Sequence, residues 1–216
     1  MIKACIFDLD GTLTNTLPTI SHYANGALEK NGFLPYDEEK YKYFVGNGAK
    51  TLVERMLTAQ NKMSEENFAR VFGDYNRAYD AAPLERTVVY DGIFPLLEAL
   101  RARGIKTAVL SNKPDFATTS VVKHFFGALF DVAHGAREGI PLKPSPEGAY
   151  LILSELGVTE PSSVLYVGDT SVDMDTGKAA GFYTVGVKWG FREEKELQEH
   201  GADAVVSHPL EILELI

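Results

Sequence analysis

The chain has 216 residues, 45% hydrophobic and 24% charged, which excludes a disordered or fibrous protein and allows one full core with room for a second small domain. A formal net charge of −9 argues against general affinity for nucleic acid or an acidic membrane surface. No window approaches about 18 consecutive apolar residues and the N-terminus carries no leader pattern, so a soluble, cytoplasmic protein is expected.

The first strand candidate is Lys3–Phe7, within "ACIFDLDGTLTNT". It contains the single cysteine, Cys5, which has no partner for an internal disulfide and is expected to be a buried packing residue. The run ends in Asp8 and Asp10. Ionised carboxylates at the end of a buried strand are unfavourable unless something pairs with them, and a strand needs no such pair in order to fold.

Residues 17–81 show helical periodicity without a convincing strand. Leu52, Val53, Met56 and Leu57 form one stripe; Phe68, Val71, Phe72, Tyr75 and Tyr79 form another, with Ser64 as its N-cap and Glu65 and Glu66 in its first turn. This segment reads as an all-helical insertion over about residues 15–81.

From residue 92 onward, strand candidates alternate with helical patterns. The strands are Lys106–Leu110, Phe130–Ala133, Ser163–Val167, Tyr183–Val187 and Ala204–Val206. Phe94, Leu97 and Leu100, then Tyr150, Ile152, Leu153 and Leu156, follow helical spacing, and Gly104, Gly157 and Gly181 fall where helices would end. Alternation of this kind predicts an α/β class with a Rossmann-like parallel sheet, here residues 1–14 and 82–216.

Open parallel sheets bind ligands beyond the carboxyl ends of their strands. At those ends stand Asp8 and Asp10, Ser111 and Asn112 of "TAVLSNKPD", Lys143 of "PLKPSPEG", and Asp169 and Asp173 of "SVLYVGDTSVDMDTG". Carboxylates, a hydroxyl followed by backbone N–H groups, and an ammonium suit phosphoryl transfer with Mg²⁺ as the hard cation. The five histidines show no ligand spacing and none is assigned a metal. Trp189 and Phe191 read as packing residues.

These segments, in order along the whole chain, resemble the four motifs of the haloacid dehalogenase superfamily of phosphohydrolases: "DLDGTLTNT", "LSNKP", "LKPSPEG" and "GDTSVDMDTGKAAG". "VGNGAKTLVERML" and "VGVKWGF" resemble the phosphoglycolate phosphatases within it. The resemblance implies a Rossmann-like core with a helical cap inserted after the first strand. It also implies Mg²⁺-dependent hydrolysis of a small phosphomonoester through an aspartyl-phosphate, with 2-phosphoglycolate as the leading candidate. By motif position, Asp8 would be nucleophile and metal ligand, and Asp10 general acid/base and backbone-carbonyl ligand. Asp169 would complete the ligands, with Asp173 in or just beyond them. Thr12, Ser111 and Asn112 would hold phosphate, and Lys143 would neutralise Asp8 and the transferring group. Asn15 stands where many members of the superfamily have an aspartate, so any role of that carboxylate is lost here.

The readings left open are a phosphatase acting on pyrophosphate or on a sugar or nucleoside monophosphate, a phosphomutase, and a phospho-accepting regulatory domain. For substrate choice, "VGNGAK" places Gly46 and Gly48 at a turn opening a helix, with Lys50 and Arg55 near its start. A helix N-terminus with a cation suits a substrate carboxylate, so Gly48, Lys50 and Arg55 are expected to contact substrate.

Overall fold

A computed structural model describes all residues, 1–216. In chain order, β1 (Ala4–Phe7) and β2 (Thr14–Asn15) precede four helices, α1 (Leu17–Lys30), α2 (Glu38–Tyr41), α3 (Gly48–Ala59) and α4 (Glu65–Ala81). After β3 (Val88–Val89) the chain alternates: α5 (Ile93–Ala102), β4 (Lys106–Pro114), α6 (Asp115–Phe126), β5 (Val132–Ala136), α7 (Glu147–Leu156), β6 (Val164–Gly168), α8 (Ser171–Ala180), β7 (Tyr183–Val187), α9 (Glu194–Glu199) and β8 (Ala204–Val206). No helix is long and apolar enough to cross a membrane. Two compact units result: Met1–Asn15 with Val89–Ile216, and Thr16–Val88.

The first unit is the α/β core. Its six strands lie in the order β5-β4-β1-β6-β7-β8 and every adjacent pair is parallel. Sequential order reverses at β1, so the crevice of this sheet opens at the carboxyl ends of β1, β4 and β6. All of β1 is buried, as a strand covered on both faces must be. Ile6, Leu110 and Tyr166 pack with Ala149, Ile152 and Leu153 of α7 on one face. Each such aliphatic side chain contributes roughly 1.5–3 kcal/mol by leaving water. Gly157 and Gly181 close α7 and α8 in the left-handed conformation.

Some expected positions shift. Phe94 and Tyr150, placed in the core stripes of α5 and α7, are 41% and 46% exposed; Ile93 and Leu96, and Gly148 and Ala149, take the buried positions instead. β5 starts at Val132, because Phe130 turns its ring against Phe7 and Phe126. β4 runs past Leu110 to Pro114, with an irregularity in its pairing to β5 between those two residues. Such a bulge re-aims the side chains it carries, here Ser111, Asn112 and Lys113.

The second unit is helical. Leu52, Val53, Met56 and Leu57 of α3 and Val71, Tyr75 and Tyr79 of α4 are buried, whereas Phe68 and Phe72 stack on each other at a half-buried edge. Ser64 caps α4 by accepting from the Asn67 N–H at 3.2 Å. Residues 82–88, read from the sequence as core, belong to this unit: Tyr23 Oη donates to Ala82 O at 3.3 Å, and the hydroxyls of Thr19 and Thr87 are 2.9 Å apart.

Candidate active site

The loop after β1 is a tight backbone knot. Leu9 O accepts from the N–H groups of Leu13 and Thr14, each at 3.0 Å, and Gly11 N donates to Thr14 O at 2.8 Å. Leu9 is fully buried, while Asp8 and Asp10 take part in ion pairs outside the apolar core. Gly11 sits at φ 91°, and a Cβ there would collide with the Asp169 carboxylate. The close approach of the two loops therefore depends on glycine at residue 11.

Lys143 is the centre of one ion cluster. Its Nζ lies 2.8 Å from Asp8 Oδ1 and 2.7 Å from Asp173 Oδ1, with 4% of its side chain exposed. Burial alone would lower the lysine's pKa; the charges of Asp173 and Asp8 more than offset that and hold it well above its usual value. Burial, with Asp173 adding, pushes Asp8 up to about 7 against the pull of Lys143. Asn112 fixes the lysine's backbone: Lys143 N donates to Asn112 Oδ1 at 2.8 Å and Asn112 Nδ2 donates to Lys143 O at 3.0 Å. The Asn112 side chain, expected on phosphate, is thus a brace for the Lys143 loop. Ser111 Oγ accepts from the Lys113 N–H at 3.2 Å beside it.

Asp173 closes the amino end of α8. Its Oδ2 accepts from Thr170 N at 3.1 Å and Thr170 Oγ1 at 2.8 Å, while Oδ1 takes Lys143. Both oxygens have partners, so its clearest role is to orient the lysine.

Asp169, fully buried at the end of β6, accepts from Thr12 Oγ1 at 3.2 Å and from the Phe191 N–H at 2.8 Å. Thr12, expected on phosphate, is therefore a donor to Asp169. Burial, Asp173 and Asp8 together hold the Asp169 carboxyl well above the usual range, with the Phe191 N–H and Arg192 opposing. Ligand oxygens of Asp8, Asp169 and Asp173 all lie within 4.8 Å of one another. Three buried carboxylates with their oxygens converging on one point fit a small hard dication.

Asp10 stands apart from that cluster. Its two oxygens accept from Lys113 Nζ at 2.8 and 3.0 Å, and 20% of its side chain is exposed. Sequence reasoning passed over Lys113, although a lysine directly after two polar residues at a strand end was a legible signal. The segment after β7, read from the sequence only as packing, also reaches the site. Trp189 Nε1 donates to Thr12 O at 2.9 Å, and a Cβ on Gly190 would collide with Asp169, so "WGF" is packed as predicted yet also shapes the acidic site.

Within the helical unit, Gly46 and Gly48 have φ of 109° and 85°, as a turn opening α3 requires. Arg55 Nη1 donates to the carbonyls of Tyr43, Phe44 and Val45 at 3.4, 3.0 and 3.4 Å, and Nη2 to Asn47 Oδ1 at 2.8 Å. These donors hold the loop in shape. Lys50 is exposed on α3.

With the geometry in hand, the chain can be set beside known proteins. Residues 2–181 match the family model of haloacid dehalogenase-like hydrolases. An N-acetylmuramic acid 6-phosphate phosphatase of Pseudomonas aeruginosa is 32% identical over 100% of this chain and 95% of its own, and a phosphoglycolate phosphatase of Rhodospirillum rubrum is 36% identical over 90% and 83%. A crystal structure from Lactobacillus delbrueckii subsp. bulgaricus superposes with TM-score 0.94 at 31% identity, covering 99% of this chain and 98% of that one.

Proposed function

The chain belongs to the haloacid dehalogenase-like hydrolases and is a phosphatase, and from that premise we propose that it hydrolyses a small phosphomonoester bearing a carboxylate, foremost 2-phosphoglycolate, with Mg²⁺ and through an aspartyl-phosphate on Asp8. The observation that carries the proposal is Asp8 itself, held by Lys143 at the sheet's switch point beside two further buried carboxylates.

Asp8 and Asp169, with Asp173 and the Asp10 carbonyl beside them, would hold the ion. Bound there, Mg²⁺ supplies charge that offsets the incoming phosphate and the carboxylates around it. The residues divide the remaining work. An Asp8 oxygen forms a bond to phosphorus as the ester P–O bond breaks, and Asp10 gives its proton to the departing oxygen. Water then attacks phosphorus, Asp10 recovers a proton from it, and the bond to Asp8 breaks to free inorganic phosphate and the carboxylate. Lys143 would stay on the Asp8 side throughout, and Ser111 would bind phosphoryl oxygens.

Two relatives support a carboxylated substrate: the names phosphoglycolate and N-acetylmuramic acid 6-phosphate both describe phosphate esters that also carry a carboxylate. Gly48 and Lys50 remain candidate substrate contacts, with Arg55 acting through the loop it braces. The net charge of −9 and the lone buried Cys5 agree with a cytoplasmic enzyme that has neither nucleic acid nor membrane as partner, and a small anionic substrate would rely on the local charge of Lys143 and the metal. The test is phosphate release from a panel of phosphomonoesters including both named compounds, ranked by kcat/KM, with EDTA and Mg²⁺ add-back. Full activity in EDTA, or no preference for carboxylated esters, would refute the corresponding part.

A further inference from the structure

Lys113 has no part in the chemistry just described. Only 4% of its side chain is exposed, and its Nζ reaches both oxygens of Asp10. A buried ion pair is often no more stabilising than apolar residues of similar size, which points to a role for this ammonium beyond stability. Its backbone is clamped on both sides. The N–H donates to Ser111 Oγ, the carbonyl accepts from Thr118 Oγ1 at 3.2 Å, and a Cβ on Gly135 would strike that carbonyl. The bulged end of β4 thus aims this lysine at Asp10.

Resting on the carboxylated-substrate reading above, we propose that Lys113 binds the substrate's carboxylate and selects phosphomonoesters in which that group lies one carbon from the ester oxygen. Asp10 must come within about 2.6–3.2 Å of the ester oxygen to protonate it. An ammonium in contact with Asp10 then lies within about 6 Å of the same oxygen. In 2-phosphoglycolate a single methylene separates the two groups, so the carboxylate oxygens sit about 3 Å from the ester oxygen, within ion-pair reach of Lys113. One ammonium can serve two carboxylates: Lys143 does so here, with Asp8 and Asp173. The two lysines divide the substrate. Lys143 takes the phosphoryl side at Asp8, and Lys113 takes the leaving-group side at Asp10. A carboxylate on a longer arm would overshoot, and an uncharged arm would offer Lys113 nothing.

The test is a ladder of ethyl phosphate, 2-phosphoglycolate, 3-phosphooxypropionate and 4-phosphooxybutyrate. Wild type should favour 2-phosphoglycolate over ethyl phosphate by about a hundredfold in kcat/KM, with the preference falling along the ladder. Lys113→Met should lose at least about tenfold more on 2-phosphoglycolate than on ethyl phosphate, mainly through KM. Lys113→Arg should keep most of the preference. In the inactive Asp8→Asn background, calorimetry should show Lys113→Met weakening 2-phosphoglycolate about tenfold more than ethyl phosphate. If the methionine variant fails to fold, Lys113→Gln, which keeps a donor for Asp10 and removes the charge, carries the same expectation. Equal losses on both esters would overturn the proposal and leave Lys113 as a support for Asp10, and so would no loss on either. Loss of the preference in Lys50→Ala in place of Lys113→Met would assign the carboxylate to the loop. A wild type indifferent to the carboxylate would bring down the substrate reading itself, whereas a discriminating wild type insensitive to Lys113 would bring down this proposal alone.

Discussion

Two buried ammoniums hold the acidic residues of the site in different ways. Lys143 bridges two carboxylates, lies 6.0 Å from the centre of the Tyr166 ring, and has its backbone gripped by Asn112. Lys113 pairs with Asp10, whose carboxylate keeps a fifth of its side chain open to solvent. Removing Lys143 would strand two buried charges; releasing Lys113 leaves Asp10 a route to water. On the proposed mechanism, the side that would make and break a bond to phosphorus is over-determined. The side that would exchange a proton, first with a leaving group and then with water, keeps access to solvent.

The sharpest way to break this comparison is to neutralise each carboxylate. Asp8→Asn should reduce turnover at least about 10⁴-fold, since no bond to phosphorus can form. Its metal-free melting temperature should not fall, because an amide relieves the burial that pushes the Asp8 carboxyl up to about 7. Phosphate release and a thermal melt read both effects, and a residual rate above about a tenth would reject Asp8 as the nucleophile.

Asp10→Asn comes next, at about 10²–10⁴-fold on alkyl esters. On an aryl phosphate, whose leaving group needs little protonation, the single-turnover loss should shrink. Equal losses on the two ester types would remove Asp10 from the acid role.

Lys143→Ala should cost about 3 kcal/mol in transition-state stabilisation and, as the loss of one partner from a buried ion cluster, about 3–5 kcal/mol in folding. Denaturant melts of the variant test the over-determined side directly. A melt like that of wild type would show that Asp8 and Asp173 tolerate each other without the lysine.

Much of this was legible in the sequence because the site lies at strand ends, where apolar runs stop abruptly at Asp8, Ser111 and Asp169. The order of segments along the chain maps onto a parallel sheet, so topology follows almost directly. What stayed hidden depends on contacts between segments far apart in the chain. Thr12 and Asn112 carry phosphate-binding side-chain types, yet their partners are Asp169 and the Lys143 backbone, 157 and 31 residues away. Lys113 is legible as a strand-end lysine, but its aim at Asp10 is not, because the irregularity in β4 after Leu110 is invisible to a period-two pattern. Phe94 and Tyr150 misled because aromatic residues at helical spacing can occupy the edge of a stripe as well as its centre.

Metal and pH sharpen the comparison further. The folded-state value of Asp8 lies above its ordinary 3.8, so its contribution to stability is complete below that value and is lost as pH rises through about 7. A dication bound by the ionised carboxylates would reverse the loss. The rise in melting temperature on adding Mg²⁺ should therefore be small at pH 5 and grow to several degrees at pH 8, at about 2–4 °C per kcal/mol for a chain of this size. A rise independent of pH would mean that Asp8 is not among the ligands.

The smallest effect separates two cations of the helical unit. Arg55 and Lys50 are both cations of α3, but Arg55 spends its guanidinium on three loop carbonyls and the Asn47 side chain, whereas Lys50 is exposed. A lysine cannot reproduce that fork, so Arg55→Lys should lower stability by about 1–2 kcal/mol. Its kcat/KM on 2-phosphoglycolate should fall only about threefold, through a loosened loop. Lys50→Ala should leave the melt unchanged within about 0.5 kcal/mol, as surface substitutions usually do. If Arg55→Lys instead kept wild-type stability and lost tenfold or more in kcat/KM, about 1.4 kcal/mol of transition-state binding, then Arg55 would touch substrate and the loop would be a recognition element in its own right.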